Sequence, residues 1–194
     1  MKCSIVDIHT HRPTGKALEP SFAGIHPWQA ETRRIEEIVP RFGEVDLVGE
    51  IGLDYAGTVG REAQLRIFRE QLDWAERLGK PVVLHCVKAF EAVMRELAPH
   101  ALRAVIFHGF IGSPQQAAEA VKRGYYLSFG ERTFRSPRTV EALRRTPVEN
   151  LFAETDESDV PIEEIYRRIA QAKDLDPELL KCAIHRNYRE IFER

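Results

Sequence analysis

The sequence lacks any apolar stretch long enough to span a bilayer, which takes about 20 consecutive residues, and it has no N-terminal apolar run resembling a signal peptide. Cysteine is scarce. Cys3, Cys86 and Cys182 are too few and too scattered for a disulfide framework, and an odd number leaves one unpaired. These absences set the expectation of a cytoplasmic protein with no membrane partner. Net charge is also nearly missing: 28 Lys and Arg against 30 Asp and Glu leave −2. That excludes a global basic field for gripping nucleic acid, so a polyanion has to be met by a local patch or by bound cations. Linkers, low-complexity runs and composition shifts are absent too. Residues 1–194 therefore read as one domain, with nothing to set an oligomeric state.

What is present is alternation. Short apolar runs predict strands at 3–9, 21–26, 46–52, 81–86, 104–109, 125–130 and 151–156. Helical spacing fills most of the gaps. Leu65, Phe68, Leu72, Ala75 and Leu78 share one face before Gly79 stops the helix. Ser113–Pro114 and Ser136–Pro137 each read as an N-cap followed by proline at the first helical position, and two helices are expected at about 161–173 and 177–193. Strands alternating with helices imply parallel pairing, hence an α/β, TIM-barrel-like (β/α) fold. Seven strands fall one short of eight, so the barrel is expected to be distorted. The shortfall lies at "RPTGKALEPSF", which is barely long enough for a parallel crossover.

Polar residues gather at one end of these strands. In "VDIHTH", residues 6–11, alternation sends Asp7, His9 and His11 to one face. Glu50, His85, His108 and Asp156 also lie at or near the C-terminal ends of apolar runs, where parallel barrels assemble their active sites. Four imidazoles and two carboxylates, with no convergent thiolate, suit Mg, Mn, Zn or Fe. Six candidate ligands exceed a four-coordinate site, so two divalent ions sharing a carboxylate are expected. Any one of these histidines alone reads equally well as a hydrogen-bonded structural residue.

In order and context, "DIHTH", "GIHPW", "VGEIGLDY", "PVVLHC", "IFHGFIGS" and "FAETD" make the chain resemble the TatD-type metal-dependent deoxyribonucleases. These belong to the wider amidohydrolase-like group. The resemblance runs from about residue 4 to "NYREIF" and implies a ligand set. His9, His11 and Asp156 would hold one ion, His85 and His108 a second, and Glu50 would bridge them. It also implies hydrolysis of phosphodiester bonds in single-stranded DNA or RNA, often 3′ to 5′, with Asp156 orienting or deprotonating the attacking water. The chain departs from the pattern in two places. The segment between the H-x-H strand and "GIHP" is nearly gone, and Val87 stands where the family commonly has arginine.

Other residues carry paired readings. Asp7 is read as orienting a histidine, with a buried backbone bond as the equal alternative. His26 reads as a substrate contact or as stabilising the turn at Pro27. Arg132, Arg135 and Arg138, in "ERTFRSPR", read as a positive cluster suited to a nucleic-acid backbone or as a solvated loop and helix face, which fits Arg138 better. Trp28 reads as packing or as a surface for stacking a base. Two further functions stay open beside the nuclease: a metal-dependent hydrolase of a small amide, ester or phosphomonoester, and a non-catalytic relative that binds metal or nucleic acid.

Overall fold

The computed structural model describes residues 3–193. The chain divides into two compact units, one running from Ser21 to Phe107 and the other combining the residues up to Pro20 with those from His108 onward.

The Ser21–Phe107 unit is a parallel sheet with helical crossovers. Strand β1 (Phe22–Ala23) leads through a 3-10 turn at Pro27–Gln29, a second at Ile35–Glu37 and the short helix α1 (Val39–Phe42) to β2 (Leu47–Asp54). Helix α2 (Arg61–Leu78) returns the chain to β3 (Val82–Val87), and α3 (Phe90–Leu97) leads to β4 (Val105–Phe107). Each strand pairs in parallel with the next. Every residue of β2 is buried, as expected of a strand covered on both faces. The β2–β3 register shifts between Val48 and Ile51, where the Gly49–Glu50 peptide bond is cis. The glycines flanking Glu50 are sterically required. A Cβ on Gly49 would lie 2.1 Å from Val83 Cγ1, and one on Gly52, at φ 141°, would lie 2.0 Å from the His85 carbonyl oxygen.

In α2 the buried face is made by Gln64, Ile67, Phe68, Gln71, Leu72 and Ala75. Leu78, expected on that face, is 43% exposed in the last position of the helix, which ends at Gly79 in the left-handed conformation.

The second unit contains α4 (Pro114–Lys122), β5 (Tyr126–Phe129), α5 (Pro137–Arg145), β6 (Leu151–Ala153), α6 (Ile162–Lys173) and α7 (Pro177–Phe192). Strands β5 and β6 pair in parallel. The expected caps form. Ser113 accepts from Gln116 N while Gln116 Oε1 accepts from Ser113 N, Ser136 accepts from Thr139 N, and Asp176 Oδ1 accepts from Glu178 N and Leu179 N. Lys173 at the end of α6 donates to the carbonyls of Leu143, Arg144 and Thr146, closing the C-terminus of α5.

Among the described residues, six segments rather than seven form strands with continuous ladders. The first expected strand, 3–9, is extended and bound to the end of β6: Ile8 N donates to Ala153 O, Asp156 N to His9 O, and His11 N to Asp156 O. On its other side it makes a single bridge, Val6 to Leu18, because "RPTGKALEP" doubles straight back instead of building a crossover. Tyr166 of α6 completes the anchorage. Its hydroxyl accepts from Val6 N at 3.1 Å and donates to Val6 O at 2.9 Å.

Cys3 and Cys182 form a disulfide, their Cα atoms 5.1 Å apart, and Cys86 is the free thiol. The scattered spacing gave no sign of this pair, because the fold supplies the proximity by bringing Cys3 against Cys182 of α7. Burial pushes the Cys86 thiol up to about 12, so it is not a thiolate at neutral pH. Among the described residues no helix is long and apolar enough to cross a membrane.

Candidate functional site

The sequence-predicted ligands fall into two groups, one within each unit. In the unit that includes the chain's beginning, the extended segment presents His9 and His11, and the residues after β6 present Asp156. Asp156 Oδ1 lies 3.9 Å from His9 Nε2 and 3.7 Å from His11 Nε2. The Asp156 backbone is in the left-handed region, φ 55°, which aspartate tolerates better than most residues. Its N–H and C=O bond to His9 O and His11 N, so the backbone of the H-x-H segment fixes the carboxylate between the two imidazoles. His9 is fully buried and His11 partly exposed, so one imidazole lies inside and the other at the surface. His108 joins this group with its ring centroid 4.4 Å from that of His9.

One donor atom from each of His9, His11 and Asp156 can be chosen so that all lie within 4.8 Å of one another, and the same holds for His108, Glu154 and Asp156. Imidazole and carboxylate donors at that spacing fit a divalent cation. Glu154, buried beneath His108, brings Oε1 to 3.2 Å from His108 Nδ1. Burial alone would raise this carboxyl, but the neighbouring imidazoles of His108 and His9 outweigh it and hold it below the usual range. A carboxylate behind a ligating imidazole fixes its tautomer and orientation. Sequence reasoning missed Glu154, although it alternates with Asp156 in "ETD" as His9 does with His11.

Asp7 takes the second of its two readings, the buried backbone bond. Its carboxylate accepts from Thr155 N at 2.9 Å and from Thr155 Oγ1 at 2.6 Å, so it orients the segment carrying Asp156 and not a histidine. The reason is depth: Asp7 sits on the extended segment below the histidines, level with the Thr155 backbone. Burial pushes its carboxyl up to about 7 against the pull of both Thr155 bonds.

In the Ser21–Phe107 unit, Glu50 Oε1 lies 2.7 Å from His85 Nδ1 and 3.4 Å from His26 Nε2. Donors from His26, Glu50 and His85 also lie within 4.8 Å of one another. Of the two roles read for His26, the structure shows the turn contact. Its Nδ1 accepts from Trp28 N, capping the 3-10 turn, and its Nε2 faces Glu50. Asp54, at the end of β2, places Oδ2 3.1 Å from His85 Nε2 and accepts Trp28 Nε1–H at 2.7 Å. Burial opposes its ionisation, but the bonds from Trp28 and His85 prevail and its carboxyl stays below the ordinary value.

Of the expected substrate arginines, Arg132 is exposed, whereas Arg135 donates to Glu131 at 2.7 Å. Glu131 also accepts from Ser158 Oγ, so this acid neutralises part of the cluster, a pairing the i, i+4 spacing could have revealed.

Comparisons with known proteins bear on both groups. The profile of the family described as "TatD related DNase" matches residues 16–193. The chain is 34% identical over 157 residues to the uncharacterized metal-dependent hydrolase YjjV of Escherichia coli K12, an alignment covering 74% of this chain and 61% of that protein. It is 30% identical to the 3′-5′ ssDNA/RNA exonuclease TatD of Citrobacter rodentium, covering 89% and 76% respectively. The crystal structure of E. coli YjjV superposes with a TM-score of 0.82 at 25% identity, over 91% of this chain and 77% of that one. The chain thus spans only about half to three-fifths of several curated relatives it matches. These matches support the fold class expected from the sequence, parallel α/β of the TIM-barrel-like kind.

Proposed function

Because the chain belongs to the family of TatD-related DNases, we propose that it is a metal-dependent phosphodiesterase acting on single-stranded DNA or RNA, with the 3′-to-5′ exonuclease character named for its Citrobacter rodentium relative. The observation carrying this reading is that His9, His11 and Asp156, the three residues the resemblance assigns to one ion, offer donor atoms within 4.8 Å of one another.

The proposed ligands are His9, His11, His108 and Asp156 on one unit and Glu50 and His85 on the other. The whole chain acts as one hydrolase domain holding two divalent ions. Such ions, Mg, Mn, Zn or Fe, acidify a water and neutralise charge developing on phosphoryl oxygens. The protein's own groups do the rest. Asp156, locked by its backbone between two imidazoles, orients the water and takes its proton. His26 presents Nε2 beside Glu50, where it can donate to a phosphoryl oxygen. Arg132, and Arg135 when released from Glu131, hold the nucleic-acid backbone. We place this activity in the cytoplasm. There the Cys3–Cys182 pair is exposed to a reducing poise, and alkylation of thiols in intact cells reports which form exists.

The test is incubation of the protein with end-labelled single-stranded DNA, with Mg or Mn or with chelator, beside a His9→Ala control. Metal-dependent shortening of the label, absent in the variant, is expected, and the end that is lost gives the direction. A second reading, hydrolysis of a small ester, amide or phosphomonoester, draws on Val87 in place of the arginine and on the pairing of Arg135 with Glu131. Intact DNA beside metal-dependent turnover of a small substrate would select it. Turnover of either kind excludes a non-catalytic binding protein.

A further inference from the structure

Trp28 is 62% exposed and is the one aromatic among the large hydrophobic side chains exposed in the described residues. Exposing an indole leaves apolar surface in water, and nothing in a 3-10 turn requires tryptophan. The side chain is nevertheless held firmly. Its Nε1–H donates to Asp54 Oδ2 at 2.7 Å, and its ring stands edge-on to His26 and His85, with centroids 4.6 and 6.0 Å away and interplanar angles of 75° and 70°. Asp54 is itself fixed. Oδ1 accepts from Ala56 N and Gly57 N, Oδ2 also faces His85 Nε2, and the backbone N–H and C=O of Asp54 are both bonded to Gln64. One carboxylate thus ties the indole and a candidate metal-ligating imidazole into a single rigid unit. The polar edge of the indole is satisfied inward, so what it offers to solvent is hydrocarbon.

We propose that Trp28 is a stacking platform for an unpaired nucleobase, and that Asp54 is the positioning residue that sets its distance from the His26–Glu50–His85 group. This deepens the phosphodiesterase reading and rests on it, because the base on Trp28 belongs to the nucleotide whose phosphate lies at that group. An aromatic face accepts every base, so the platform gives little sequence preference. It does select strand state: a base already stacked and paired in a duplex has no free face to offer.

The experiment uses a Trp74→Phe protein, which leaves Trp28 as the sole indole. Fluorescence titration compares a phosphorothioate-linked, cleavage-resistant decathymidylate with the same backbone lacking its bases. We expect the thymidylate to quench Trp28 and to bind about tenfold more tightly than the baseless chain. Trp28→Ala should erase that difference, read by anisotropy of labelled oligonucleotide, and Trp28→Phe should restore most of it. Equal affinities for the two chains, or a Trp28→Ala variant that weakens both alike, overturns the proposal. Adding metal and ordinary end-labelled DNA to the same samples tests the parent reading separately: base-dependent binding without any cleavage retires the nuclease assignment and leaves the platform standing.

Discussion

The side-chain amide of Gln71 satisfies both backbone groups of Ile25: Oε1 accepts Ile25 N–H at 2.6 Å, and Nε2 donates to Ile25 O at 3.1 Å. Two turns earlier on the same face of α2, Gln64 does the same for Asp54 and also donates to Val59 O. One helix thus clamps the chain beside His26 and at Asp54 with buried amides where leucines would ordinarily sit. Gln71→Met keeps the volume but strands two buried backbone groups. It should lower unfolding free energy by about 1–3 kcal/mol, measured by urea denaturation.

Tyr166→Phe removes the one hydroxyl that serves both Val6 N and Val6 O. A loss of about 1–3 kcal/mol is expected. The extended segment carrying His9 and His11 should also gain amide hydrogen exchange ahead of the rest of its unit, since Val6 loses the partner of both its backbone groups.

Glu154→Gln keeps the size of the side chain and removes the charge behind His108. Calorimetric titration with Mn²⁺ should show affinity falling by about tenfold or more, with little change in melting temperature. A variant that unfolds earlier but binds metal normally would mark Glu154 as a packing residue instead.

Chelation of the wild-type protein followed by titration with Mn²⁺ should recover binding that His9→Ala and Glu50→Gln each reduce. Elemental analysis of the loaded variants checks this independently of any substrate. An unchanged metal content in both would remove the ligand assignment.

Arg69 grips Glu96 through two bonds, at 2.6 and 3.0 Å, and holds its carboxyl below the ordinary value. A depressed folded-state pKa contributes stability above the unfolded value, about 4.3 for glutamate, and that stability is lost as pH falls through the folded value. Glu96→Gln should therefore melt below wild type at pH 7, with the gap closing as the buffer is taken below pH 4. A gap independent of pH would show that the pair acts through packing alone.

Much of this was legible in the residues. Periodicity and caps located the helices because Ser113, Ser136, Asp176 and Gly79 act through local geometry that a short window contains. The H-x-H spacing and the position of Asp156 were readable for the same reason, since strand alternation is local. What escaped depends on pairing across the fold. The first segment looked like a ladder strand, yet whether a ladder forms depends on the partner, and Leu18 offers only one bridge. Asp7 stayed open between a histidine and a backbone bond because only its face was visible, not the depth at which Thr155 meets it. Glu154, Gln64 and Gln71 sit at positions that periodicity assigns to the core, and nothing in a linear pattern says which backbone or imidazole a buried polar group will meet.

The Cys3–Cys182 bond turns nearly the whole chain into a covalent ring, and all six candidate ligands lie on it. Topologically, a single proteolytic cut anywhere between these cysteines cannot release a fragment; it only converts the ring to a branched but continuous molecule. Nicked protein would keep its full mass until a reductant is added and then separate into two pieces. The inventory of candidate ligands can therefore survive backbone damage that would scatter it in an unbridged chain.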